Sequence, residues 1–158
     1  MVAMMFIGKA SGWQRPAQAS ESFLTNVAVL DTNIVLDLFV YSDPRQASLD
    51  RALQTGHLRW LATYAMRDEL SRVLDYPQIA KRRLVNQQST EAVLAQMDSF
   101  ATFVAPTPKA PYTCKDPDDQ IFIDLACAHQ CLLLSKDKAV LAMRSRLSRL
   151  GATVKVEL

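Results

Sequence analysis

Apolar positions along this chain recur with two periods. Val27-Ala28-Val29-Leu30 is a short unbroken apolar run, the pattern of a buried strand. Residues 60–62 (Trp-Leu-Ala), 103–104 (Phe-Val), 131–135 (Cys-Leu-Leu-Leu-Ser) and 153–156 (Thr-Val-Lys-Val) read as further strands. Between them the apolar residues return every three or four positions, which predicts helices over 34–40, 46–54, 64–74, 77–86, 90–99, 118–130 and 138–150. Thr32 or Asn33 is placed to cap the first of these and Thr63 the third. Asp43-Pro44, Gly56, Pro77 and Gly151 punctuate the pattern, and residues 106–117 form a Pro-rich loop. Strands alternating with helices predict an α/β fold: parallel pairing, with helices on both faces of the sheet.

A chain of 158 residues is one domain's worth and can bury a sizeable core. Its 49% hydrophobic and 22% charged residues describe an ordinary soluble globular protein. Residues 8–22 are polar and rich in Gly, Pro, Ser and Gln, so residues 1–25 are expected to be a weakly ordered extension and residues 26–158 the domain. No apolar run approaches the ~18 residues of a bilayer span. The run over residues 2–7 is short for a signal-peptide core. A cytoplasmic location follows as an expectation. The three cysteines, Cys114, Cys127 and Cys131, are an odd number and suggest a reducing compartment. Cys127 and Cys131 have the spacing of half a zinc site, but no second Cys/His pair matches it. They read better as buried apolar residues.

The net charge of +2 does not by itself indicate a nucleic-acid ligand. The distribution is more informative: residues 136–158 hold six Lys/Arg against two acids, and Lys81-Arg82-Arg83 is a second cluster. Solvated helix faces explain such clusters equally well.

The candidate chemistry lies in acids at the ends of apolar elements. Asp31 follows the first strand directly, and Asp137 lies two residues past Ser135. In an open α/β sheet the binding crevice lies beyond the carboxyl ends of the strands, so both acids project to that edge. Asp31 could instead be a helix N-cap. In the helix over 64–74, Met66, Leu70, Val73 and Leu74 define an apolar arc. Asp68 lies opposite that arc and Glu69 on its flank, where it can reach a cleft. Asp116-Pro117-Asp118-Asp119 suits a helix start, with Asp116 as cap and Pro117 at the first position. Asp119 stands apart, because it stacks with Phe122, Ile123 and Ala126 on an inward stripe. Asp124 projects elsewhere. Carboxylates at buried element ends are costly unless something positive lies between them. A divalent, oxygen-preferring cation is the natural occupant. His57 and His129 are isolated, which excludes a catalytic triad, and the four glycines are not clustered into a phosphate-binding loop.

At these residues the chain resembles a PIN-domain ribonuclease. Val29-Leu30-Asp31-Thr32-Asn33, Asp68-Glu69-Leu70-Ser71-Arg72-Val73-Leu74 and the segment Cys114 to Asp137 carry the resemblance, which spans residues 26–158. It is similar to the branch of bacterial PIN proteins that are toxin components of toxin–antitoxin pairs. The chain departs from that pattern at Ala128-His129-Gln130, where a glycine is common, at Ser135, where threonine is common, and at Ala139, where a further acid is common.

The resemblance implies a three-layer α/β/α fold with a central parallel sheet of about four or five strands. It implies Asp31, Glu69, Asp119 and Asp137 as a catalytic, metal-binding acidic cluster, supported by Thr32 or Asn33 and by Ser135. It further implies a Mg²⁺ or Mn²⁺ cofactor, single-stranded RNA as substrate and a small cognate antitoxin, with a homodimer possible and no membrane partner. Lys136, Lys138 or Arg72 could steer the phosphate backbone. Two rival readings are an inactive PIN-like module that binds RNA or protein, and a phosphoacceptor domain using Asp31 with Lys136. The second leaves Glu69 and Asp119 without a role.

Overall fold

The computed structural model describes residues 26–158. The expected extension over residues 1–25 lies outside them. Five strands form one all-parallel sheet: β1 (Val27–Leu30), β2 (Arg59–Ala62), β3 (Ala101–Phe103), β4 (Leu132–Leu134) and β5 (Thr153–Lys155), in the order β3-β2-β1-β4-β5. The helices among the described residues are α1 (Thr32–Phe39), α2 (Ala47–Gln54), α3 (Tyr64–Val73), α4 (Pro77–Val85), α5 (Thr90–Phe100), α6 (Gln120–His129), α7 (Lys138–Leu141) and α8 (Arg144–Ser148). Short 3₁₀ turns at Pro44–Gln46 and Pro117–Asp119 precede α2 and α6. The expected three-layer α/β/α class is what the chain adopts.

The strand order explains where a site can form. The chain steps outward from β1 to β2 to β3, then crosses back to β4 beside β1 and continues to β5. Parallel crossovers are right-handed, so reversing direction moves the connecting helices to the opposite face. The reversal leaves a crevice between the carboxyl ends of β1 and β4, the usual ligand position in open α/β sheets. The register is direct, with Ala28, Val29 and Leu30 opposite Leu132, Leu133 and Leu134. Asp31 N–H continues that ladder by donating to Leu134 O at 3.0 Å.

The two central strands are apolar because both of their faces are covered. Ala28, Val29, Leu133 and Leu134 have no exposed surface. Helix α6 packs across β1 and β4 through Phe122, Ile123 and Ala126. On β2, Trp60 packs against Phe39, which stacks on Phe100 of α5. Charged braces tie the outer elements. Arg67 of α3 makes a two-pronged pair with Asp98 of α5, and buried Arg83 of α4 donates to Leu74 O and Gln88 O.

Several boundaries differ from the sequence expectation. Helix α1 starts at Thr32, so Thr32 and Asn33 lie in its first turn and Asp31 takes the N-cap position. The helix expected over 118–130 begins as a 3₁₀ turn, because Asp116 caps Asp118 N–H and Pro117 tightens the entry. The single helix expected over 138–150 is two helices. Met143 N–H bonds to Val140 O three residues back, and the bend keeps Val140, Met143 and Leu147 all buried. The departure at Gln130 has a backbone cost. Gln130 ends α6 with φ 49°, the left-handed conformation that favours glycine. All three cysteines are free; Cys114 and Cys131 are buried and Cys127 is half-buried. Burial and neighbouring Cys127 push the Cys131 thiol up to about 11.

Leu133 has no exposed surface on a central strand. Leu133→Ala is therefore expected to cost about 2–5 kcal/mol in urea unfolding, from lost transfer energy and a residual cavity.

Candidate functional site

The carboxyl edge of the sheet collects acids from four places in the chain. Asp31 follows β1 and is buried. Its carbonyl accepts from Ile34 and Val35 N–H, but its carboxylate makes no capping bond. The carboxylate turns across the switch point instead, where Ser135 Oγ donates to Asp31 Oδ2 at 2.6 Å. The same Ser135 oxygen accepts from Asp137 N–H at 3.1 Å. Asp137 also caps α7, its Oδ1 accepting from Ala139 N–H at 2.8 Å. One buried hydroxyl thus fixes the two acids that follow the two central strands.

Asp119 enters from the 3₁₀ turn before α6 and is 7% exposed. Oxygens of Asp116, Asp119 and Asp137 lie within 4.8 Å of one another. Asp119 Oδ2 is buried with no hydrogen-bond partner. Glu69 reaches in from α3 and accepts from Thr32 Oγ1 at 3.0 Å, while Asp68 is exposed. A groove of about 250 Å³ runs past Asp31, Glu69, Asp116, Asp118 and Asp119, with Tyr76 beside them. A wider cavity, about 820 Å³, opens at the amino ends of the strands around His57, His129 and Lys155, with no acid among its described lining residues.

The expected set is therefore distributed as follows. Asp119 and Asp137 sit together, Asp31 is joined to Asp137 through Ser135, and Glu69 faces them across the groove on the Thr32 hydroxyl. Asn33 is exposed and lines the groove. Asp116 is the addition. Its sequence position reads as a helix cap, and it does cap, but its carboxylate also joins the trio. The signal available in the sequence was its three-residue spacing from Asp119, which one turn of helix brings to the same side. Asp124 has a structural task, accepting from Ala110 N–H and Gln120 Nε2, both at 2.8 Å, and so anchoring the Pro-rich loop. Lys136 is not free to meet a phosphate: its Nζ lies 2.6 Å from buried Asp37 Oδ2. Lys138 and Arg72 are exposed.

The electrostatics follow from this crowding. Burial, then the charges of Asp31, Asp137 and Asp116, push the Asp119 carboxyl up to about 8. Burial raises Asp31 as well, against the opposing effect of the Ser135 hydrogen bond. Glu69 is raised by burial, with the Thr32 bond opposing and the Asp31 charge adding. No cation from the protein enters the cluster among the described residues to offset this repulsion. A buried carboxylate oxygen without a donor, in an all-oxygen set, suits a hard divalent cation. The donor set is compatible with a divalent metal ion, with Asp116, Asp119 and Asp137 close enough to share one and Asp31 and Glu69 lining the adjacent groove.

A family model described as PIN domain matches residues 27–139, which takes in every one of these acids. No curated protein matches the chain. No described helix is long and apolar enough to cross a membrane.

An acid whose folded pKa is raised stabilises the fold below its unfolded pKa and loses that contribution as pH rises through the folded value. In EDTA, the Asp119 contribution should therefore fall between about pH 4 and about pH 8. Asp119→Asn should flatten that decline and raise stability at pH 8 by at least ~1 kcal/mol in thermal unfolding. Ser135→Ala should leave Asp31 Oδ2 buried without its donor and cost about 1–3 kcal/mol, read by urea unfolding.

Proposed function

The chain belongs to the PIN-domain family, a nuclease-type fold, and on that premise we propose that it is a metal-dependent endoribonuclease cleaving phosphodiester bonds of single-stranded RNA. The observation that carries the reading is the buried, unpartnered Asp119 Oδ2 inside a set of carboxylates at the switch point. Such a set is unfavourable on its own and becomes favourable around a divalent ion.

Asp31, Asp119 and Asp137 would hold Mg²⁺ or Mn²⁺, with Glu69 and Asp116 completing the acidic wall. The bound ion supplies a water of lowered pKa and a positive charge at the phosphate oxygens. The protein's own groups set the geometry. Ser135 holds Asp31 and the Asp137 backbone in one arrangement, so these two acids cannot drift apart. Thr32 holds Glu69 toward the groove. Burial and the neighbouring acids hold the Asp119 carboxyl up to about 8, so a cation held there would be bound at the expense of a proton. The groove past Asp31 and Glu69 is open to a strand, and Tyr76, 51% exposed, stands at its side.

The inactive-module reading has no support in the acids, all of which are present. The phosphoacceptor reading loses its lysine, because Lys136 is held by Asp37. In the cell the protein would act in the cytoplasm as the toxin of a toxin–antitoxin pair, neutralised by a small antitoxin at the acidic groove. A homodimer is compatible with this role.

With labelled single-stranded RNA and Mn²⁺, cleavage is expected, and EDTA should abolish it. Asp31→Asn and Asp119→Asn should each lower the rate at least ~100-fold, as for loss of a group that acts in the transition state. Cleavage that persists through chelation and both substitutions would refute the assignment.

A further inference from the structure

A second cleft adjoins the acids. It is about 290 Å³ in volume and is built from Thr113 and Lys115 of the Pro-rich loop and Ala139, Ala142, Met143 and Arg146 of the α7–α8 segment. It meets the acidic cluster at two points of the chain: Lys115 immediately precedes Asp116, and Ala139 N–H is the group that Asp137 caps. Its base is apolar and small, with Met143 only 2% exposed. Lys115 and Arg146 are exposed, and neither has a carboxylate partner among the described residues. Lys138, next to Ala139, is also exposed and unpaired among them. The Arg146 guanidinium lies over the Tyr112 ring, 5.8 Å from its centroid, which gives a flexible side chain a defined position.

Cations on an ordinary solvated face are spread out or paired with acids. Here Lys115 and Arg146 line one cleft beside a dense group of carboxylates, yet neither forms an ion pair with them among the described residues. The acids repel any polyanion that approaches, and a divalent ion among them offsets that repulsion only locally. The phosphates flanking the bond to be cut need their own positive contacts. Lysine supplies a mobile point charge for this and arginine a planar fork that matches phosphate. We propose that this cleft holds the phosphate backbone of single-stranded RNA on one side of the reacting bond, with Lys115 and Arg146 as its contacts and Tyr112 as the support of Arg146. The proposal rests on the nuclease reading of the acids and deepens it by naming where the strand lies.

The test is anisotropy of a short labelled single-stranded RNA in EDTA, where cutting is off and the cleft is read separately from the metal. Lys115→Gln combined with Arg146→Gln should weaken binding about tenfold at moderate salt. It should also lower the slope of log affinity against log salt by about 1.4, two backbone contacts' worth. Lys115→Gln alone should give roughly half that slope change. Mn²⁺ affinity by calorimetry should not fall in either variant, and Asp119→Asn should lose Mn²⁺ while retaining RNA. Unchanged RNA affinity and salt slope in the double variant overturn the cleft assignment, as does a larger response with duplex RNA than with the single strand. Absent Mn²⁺ binding in the unmodified protein would overturn the nuclease reading instead, and leave the RNA result to judge the cleft.

Discussion

Like charges forced into one crevice are the constraint on which this structure turns. Asp31, Asp116, Asp119 and Asp137 come from three separate stretches of chain and meet where the sheet changes direction. Carboxylates that close, and that buried, oppose folding unless they are protonated or shared with a cation. Burial and the neighbouring carboxylates hold the Asp119 carboxyl up to about 8. The helix geometry helps a little, since Asp118 and Asp119 occupy the first turn before α6, where the helix dipole favours negative charge.

What keeps the crevice in one shape is a small set of polar links. Ser135 joins the ends of β1 and β4 by donating to Asp31 and accepting from Asp137 N–H. Thr32 holds Glu69 on the other wall. The Lys136–Asp37 pair ties the loop after β4 to α1. Asp124 fixes the Pro-rich loop that delivers Asp116 and Lys115. Each link crosses between elements that are distant in sequence, so the acids' arrangement depends on the whole sheet being formed.

The parts of this that could be read from the chain share a local physical signature. Unbroken apolar runs marked the central strands, because strands covered on both faces have no polar side to show. Asp31 and Asp137 could be placed at one edge because parallel topology puts the carboxyl ends of successive strands together. Helical phase separated Glu69, which lines the groove, from Asp68, which meets solvent. The split of α7 from α8 was not legible, since nothing in Lys138 to Leu150 breaks a helix; tertiary packing of Met143 decides it. Asp116 caps as its sequence position predicts, but its place beside Asp119 and Asp137 is not legible in the sequence. A cap and a cluster member have the same sequence signature, and only the fold brings Asp137 alongside. Lys136 looked available for phosphate because its partner Asp37 lies on another element, a pairing that sequence spacing does not reveal. The same holds for the cleft of Lys115 and Arg146, whose two sides come from a loop and a helix far apart in the chain.

If these acids hold a divalent cation as proposed, its binding is coupled to loss of a proton from Asp119, whose carboxyl is held up to about 8. Titration calorimetry of Mn²⁺ at pH 7 in two buffers of different ionisation enthalpy reads that exchange directly. Because the Asp119 carboxyl is held up to about 8, metal binding should release about one proton. Binding without proton release, or no Mn²⁺ binding at all, would contradict the account.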